Sequence, residues 1–146
     1  MTDASPAPGR LTAGGTHILP IRIYHEDTDF SGSVYHASYL RFCERGRSEF
    51  VRAQSISQKD LSESGEPAFF AVRRMRIEFL KPARYDDMIE VRTRIKETRG
   101  ASLILDQEIR RGMEKLFTAE VQVALVSSAG KPLRLSSSGL QKPRQS

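Results

Sequence analysis

Hydrophobic periodicity divides the chain into one long helix and a series of strands. The first strand-like stretch is 18–25, where Ile21 and Ile23 alternate with Arg22 and Tyr24, the two-residue period of a half-buried strand. A polar segment with one glycine, HEDTDFSGS at 25–33, interrupts it. Over 35–54 the period lengthens. Tyr39, Cys43, Gly46 and Phe50 recur at three- and four-residue spacing beside Leu40, Phe42 and Val51, while Arg41, Glu44, Arg45, Arg47 and Glu49 fill the other faces. That pattern predicts an amphipathic helix. Gly46 costs about 1 kcal/mol of helix propensity relative to Ala, so its presence predicts a close approach of the sheet. Ser57 with Asp60 forms an N-cap pattern for a short helix that Gly65 ends.

The remainder alternates again. In 68–81, Met75, Ile77 and Phe79 share one face but Phe70 and Val72 are out of phase, so a bulge is expected near Arg73 and Arg74. Stretch 88–98 aligns Ile89, Val91, Thr93 and Ile95; stretch 102–111 aligns Leu103, Leu105 and Ile109. Stretch 116–127 sets Phe117, Ala119, Val121, Val123 and Leu125 against Glu120 and Gln122. Turn residues separate these runs at Pro82 with Tyr85-Asp86-Asp87, at Arg99-Gly100 and at Arg111-Gly112. One strand, one long helix and four strands on short connections predict an α+β fold, an antiparallel sheet curled over a single helix.

Composition narrows the chemistry. The 146 residues suit one domain with its own core. A single cysteine excludes an internal disulfide framework and thiolate-rich metal sites, and the histidines at 17, 25 and 36 are too scattered for a metal cluster. No apolar run approaches the roughly 20 residues of a membrane span, and the N-terminus has neither the basic nor the apolar region of a secretory signal. A cytoplasmic protein is therefore expected. Residues 1–16, rich in Ala, Gly, Pro, Ser and Thr, read as a disordered lead-in, 17–130 as the folded domain, and 131–146 as a mobile basic tail. The net charge is +5, but Lys131, Arg134, Lys142 and Arg144 account for most of it, leaving 19 basic against 18 acidic residues elsewhere. No basic stripe interleaved with aromatics is visible, so no nucleic-acid partner is expected.

The chemistry concentrates in 24–39, YHEDTDFSGSVYHASY, where three acids and a glycine join a strand end to a helix start. Unpaired N–H groups and the dipole at a helix start can polarise a carbonyl, and a carboxylate on the same loop can attack it or deprotonate a water. Acyl transfer is the reaction class this pairing suggests. Cys43 lies two helical turns from His36, about 10.5 Å away and out of reach for a nucleophile–base pair. Ser31 and Ser33 form no G-x-S-x-G elbow.

EDTD at 26–29, Gly32, VYHASY at 34–39, FCERGR at 42–47, VRRMRIEFLKPARYDDMIEV at 72–91 and RGASL at 99–103 resemble the hotdog-fold acyl-CoA thioesterases. The match is to the Tol–Pal-associated branch of the 4-hydroxybenzoyl-CoA thioesterase group. The resemblance implies a curved sheet wrapped around the long helix, copies assembled as homodimers or homotetramers, and active sites at the dimer interface. It implies Asp29 as the catalytic carboxylate, nucleophile or general base, and His36 as a group orienting substrate or water. Phe30, Gly32 and Tyr35 are then substrate-binding candidates, Phe30 by shaping the acyl pocket. Arg73, Arg74, Arg99 and Ser102 are candidates for holding coenzyme A. The implied substrate is a short- or medium-chain or aromatic acyl-CoA, or an acyl group on acyl-carrier protein, with no metal or organic cofactor. The alternative expectation is a non-catalytic binder of acyl-carrier protein or of the inner-membrane surface, peripheral through the basic tail.

Overall fold

The alternating runs pair as a single antiparallel sheet in the computed structural model, which describes residues 8–54, 60–136 and 140. Its strands are β1 (Arg10–Leu11), β2 (His17–Arg22), β3 (Phe69–Phe79), β4 (Met88–Arg99), β5 (Ser102–Arg111) and β6 (Glu114–Val126), in the order β1-β2-β4-β5-β6-β3. The helix α1 spans His36–Ala53. The β3 bulge falls where the phase change predicts it, between Val72 and Arg74. Strand β2 stops at Arg22, short of residue 25, because Tyr24 donates its N–H to Asp27 Oδ2 (2.9 Å) and opens a 3-10 turn, His25–Asp27. No helix begins at Asp60: residues 60–65 form turns and a bridge from Ser62 to Leu135. Ser57 lies outside the described residues.

The core lies between α1 and the inner face of the sheet. Phe42, Phe50, Ile89, Val91, Ile109 and Phe117 are buried completely, each contributing on the order of 2 kcal/mol of hydrophobic stabilisation. Gly46 does mark a close approach. A Cβ there would sit 2.6 Å from Val91 Cγ1 and 3.0 Å from Thr93 Oγ1. Behind it, Gln107 Nε2 donates to the Cys43 carbonyl and to Thr93 Oγ1, both at 2.9 Å, and Arg47 donates to Gln107 Oε1. Cys43 is a core residue whose thiol burial pushes up to about 12, so it is no nucleophile at neutral pH.

The described parts of both expected tails, 8–16 and 131–136, take part in the fold. Within the 1–16 lead-in, β1 pairs with His17 and Ile18, and Gly9, at φ +80°, presses on the His17 ring, where a Cβ would lie 2.7 Å from Cε1. Residues 1–7 are outside the description. At the other end, Leu133 is buried with Leu61, Ala68 and Leu125, its N–H bonds to the Leu125 carbonyl, and Ser136 N–H bonds to Leu61. Apolar residues spaced through a basic segment anchor it despite its charge. The basic Lys142 and Arg144 are not described.

His17 is buried and its ring nitrogens make no hydrogen bond in good geometry. Burial lowers its pKa, opposed by the Pro8 carbonyl and the Glu49 charge. The unfolded chain therefore takes up a proton before the folded one does, so stability falls as pH drops below the ordinary histidine value of about 6.5. Thermal melts across pH 5–8 are expected to show His17→Leu losing less stability on acidification than wild type. Parallel curves would dismiss His17 as the source.

The two sheet edges differ. Strand β1 is a two-residue cap, whereas β3 offers eleven residues of unpaired edge. Helix α1 packs chiefly on β2 and β4 and meets β3 at Phe79, whose ring lies 5.5 Å from that of Tyr39, so inner-face residues of β3 remain partly open, with Val72 46% and Phe79 52% exposed. Beside them an open groove of about 810 Å³, lined by Phe50, Val51, Phe69, Phe70, Val72 and Leu103, runs along the C-terminal half of the helix. The outer sheet face is charged and laced by Arg94–Asp106 and Lys96–Glu120 pairs.

Candidate functional site

The acidic segment folds into a small hairpin. Thr28 bridges to Val34, Asp29 N–H bonds to the Ser33 carbonyl, and Gly32 N–H returns to the Asp29 carbonyl. Gly32 closes the turn at φ +84°, a left-handed conformation that glycine adopts without steric cost. Two neighbours hold the hairpin. On one side Asp27, buried, accepts Tyr35 N–H on its carbonyl and places its carboxylate 3.6 Å from Arg41 on α1. On the other, segment 81–87 lies against it: Val34 N–H bonds to the Ala83 carbonyl, Tyr85 N–H to the Gly32 carbonyl, and Arg84 Nη1 to Ser33 Oγ. The Tyr85 ring stacks on His25 at 3.8 Å. Asp27 and His25 thus have structural work.

Asp29 presents its carboxylate to solvent at the turn. Ser31 donates twice to Oδ1, from its N–H at 2.8 Å and from Oγ at 2.6 Å. These bonds favour the charged form, first the Ser31 hydroxyl and then its N–H, and hold the Asp29 pKa below the usual carboxylate value. The group is ionised at neutral pH and fixed in one rotamer. Ser31→Ala removes the larger of the two contributions, so the acid limb of the pH–rate profile should move to higher pH. A profile that does not move would show that Asp29 does not set that limb.

Tyr35 and His36 begin α1. Tyr35 is the N-cap residue, makes no side-chain capping bond, and no acid occupies the first turn. The first amides of a helix have no acceptor within it, and here no side chain takes them. The macrodipole adds positive potential at the same point. The exposed His36 ring lies 4.3 Å from Tyr35 and 6.5 Å, edge-on, from Phe79, which continues into the stacked Tyr39–Phe117 pair. No hydrogen bond joins His36 to Asp29. Phe30 projects from the hairpin tip wholly exposed.

The structure thus brings together Asp29, Phe30, Gly32, Tyr35 and His36. It separates four other candidates from them within one chain. Arg73 and Arg74 are exposed in the middle of β3. Arg99 is held by both oxygens of Glu97, at 2.8 and 3.0 Å, and Ser102 Oγ bonds to the Arg99 carbonyl. They face each other across the β4–β5 turn, about 35 Å from the end of β4 that adjoins the hairpin at ~3.3 Å per residue. Ser31 was not among the candidates, although an acceptor Asp with Ser two residues on is the signature of an Asx-turn. The shelf at 81–87 was visible only as a resemblance, without a role. Among the described residues no group of three or more His, Cys, Asp or Glu could hold a metal ion, and no helix is long and apolar enough to cross a membrane.

The sequence profile of the thioesterase superfamily matches residues 31–118. The acyl-CoA thioester hydrolase YbgC of Escherichia coli O6:H1 is 44% identical over 124 residues, 84% of this chain and 88% of that protein. The acyl-CoA thioesterase YbgC of Haemophilus influenzae is 40% identical over 108 residues, 74% and 79% of the two chains. A probable thioesterase from Bartonella henselae has a similar structure, with TM-score 0.77 and 45% identity over 84% of this chain and 100% of that one.

Proposed function

This chain belongs to the thioesterase superfamily, has its hotdog fold and is an acyl-CoA thioester hydrolase; on that premise we propose that Asp29 is the reacting carboxylate and the start of α1 polarises the thioester carbonyl. The observation that carries this reading is the Asp29 carboxylate, ionised and locked by Ser31 on a hairpin that runs directly into an uncapped helix start. The carbonyl oxygen faces the amides at His36, and charge developing on it is met by fixed donors. The ionised carboxylate, held by two bonds from Ser31, attacks directly. Its oxygen then bonds to the carbonyl carbon, the C–S bond breaks, and coenzyme A leaves as thiolate, protonated by water. Water hydrolyses the resulting anhydride to the free acid and restores the carboxylate. His36, beside Tyr35, orients the thioester or that water. Rapid-quench single-turnover hydrolysis of a radiolabelled acyl-CoA tests the choice: direct attack leaves the acyl group covalently on the protein before free acid appears, and general-base catalysis leaves none.

The substrate reading is a short- or medium-chain or aromatic acyl group, with acyl-carrier protein as a second carrier of the same thioester. No metal or organic cofactor enters this chemistry. A coenzyme A substrate suits the cytoplasmic location expected from the sequence. Purified protein should release free thiol from some members of a panel of aliphatic and benzoyl-type thioesters, followed with a chromogenic thiol reagent. No release from any would overturn the assignment.

One chain does not make a whole site. Asp29 stands in water, while the apolar groove lies at the other end of the helix. Antiparallel pairing of two β3 edges supplies the missing half, because the Phe69 end of one copy then meets the Phe79 end of the other. The groove and the Arg99 turn of one protomer come to the same side as Asp29 and His36 of its partner. The open apolar strip on β3 is covered by the same step, which is how a long exposed edge is made safe.

A further inference from the structure

We infer that Arg111 and Asp87 are positioning residues for hydrolysis, locking segment 81–87 into a shelf that sets the Asp29 hairpin against the first turn of α1. The inference rests on Asp29 as the reacting carboxylate. The shelf touches both halves of the site through a single residue: Ala83 accepts the hairpin's Val34 N–H on its carbonyl and donates its own N–H to the buried Tyr39 hydroxyl on α1, each at 2.9 Å. A shift of Ala83 therefore changes the separation between carboxylate and helix start.

The shelf is neither helix nor strand, and backbone bonds tie its ends: Lys81 N–H to the Leu116 carbonyl, and Asp86 N–H and the Asp87 carbonyl to Ile23. Its turn includes Asp86 at φ +71°, the one non-glycine residue with positive φ among those described, a conformation that persists only where its surroundings impose it. Arg22 Nη1 donates to the Asp86 carbonyl at 2.9 Å, and the side-chain bonds across the rest of the shelf converge on two residues. Asp87 Oδ2 accepts Arg84 N–H at 2.9 Å and Arg111 Nη1 at 2.7 Å. Arg111 also reaches the Pro82 carbonyl at 3.3 Å and pairs with Glu114, whose other oxygen takes Lys81 Nζ at 3.2 Å. Arg111 ends β5, where it pairs in register with Glu114 of β6, and its fork spans both ends of the shelf. Lysine, with a single point of donation, cannot reproduce that span in full. Displacing a reacting group by about 1 Å can cost on the order of 100-fold in rate.

The test is steady-state hydrolysis of an acyl-CoA accepted by the wild-type full-length protein, with Arg111→Gln, Arg111→Lys, Asp87→Asn and Asp29→Asn alongside, and a melting temperature for each. Arg111→Gln is expected to lower kcat about 10- to 100-fold with KM within about twofold, and Arg111→Lys to recover part of the loss. Should Arg111→Gln not fold, Asp87→Asn carries the test, since it keeps size and an acceptor but loses the charge facing Arg111. Its expected effect is the same split. An unchanged kcat, with or without a lower melting temperature, overturns the inference. So does a raised KM at normal kcat, which would make Arg111 a phosphate-binding group. An active Asp29→Asn rejects the carboxylate assignment itself; an inactive one beside a normal Arg111→Gln rejects only the positioning role.

Discussion

Asp29→Asn is expected to abolish thiol release while leaving the protein folded. The side chain is exposed and packs against nothing, and an amide oxygen in place of Oδ1 still accepts from Ser31. The hairpin should therefore keep its shape, and the melting temperature should shift little. What is lost is a negative oxygen able to attack a carbonyl or take a proton. The expected fall in kcat is about 10³-fold, within the range for losing a nucleophile or general base. If the variant retains more than about a tenth of wild-type kcat, the reacting group lies elsewhere. The conservative change is more informative than alanine because it separates charge from shape.

Val72→Asp is expected to split the proposed β3-paired dimer and remove activity together. Val72 lies on the inner face of β3, opposite Val123, and is open to solvent in one chain. A carboxylate there stays wet in the monomer, so protomer stability should change by no more than about 0.5 kcal/mol, as for most surface substitutions. In a paired assembly the same carboxylate would be buried in an apolar strip without a partner, at a cost of several kcal/mol. Sedimentation should report a halved mass, and hydrolysis should fall with it. A dimer that persists, or a monomer that remains active, would show that the site does not require two copies. An acyl groove that works within one chain would then have to be sought.

The elements were legible because their information is local. The helix boundaries follow from three- and four-residue spacing, the β3 bulge from a phase change, and the close approach at Gly46 from a residue that no helix chooses without reason. The acidic loop was legible as a candidate site, since a carboxylate, a glycine and a helix start fall within ten residues, but its hairpin pairing of Thr28 with Val34 was not. Other features were hidden for equally physical reasons. Composition marked both termini as loose, yet Gly9 over His17 and Leu133 in the Leu61–Leu125 cluster anchor them. A few well-placed contacts outweigh an average. Arg99 and Ser102, candidates for holding coenzyme A, lie within one chain at the opposite end of the sheet from Asp29, because a strand carries its residues away at ~3.3 Å each.

By itself the sequence determined the helix, the five longer strands, their inward faces, the candidate acidic turn and the family. These depend on the order of polar and apolar residues over a few positions, which backbone geometry converts directly into a buried face. Only the tertiary structure decided how that turn is held and which surfaces stay open. Tyr39 meets Ala83 from 44 positions away, Ser33 meets Arg84 from 51, and Arg111 meets Asp87 from 24. Whether such pairs form depends on strand order and register, and no local period encodes either.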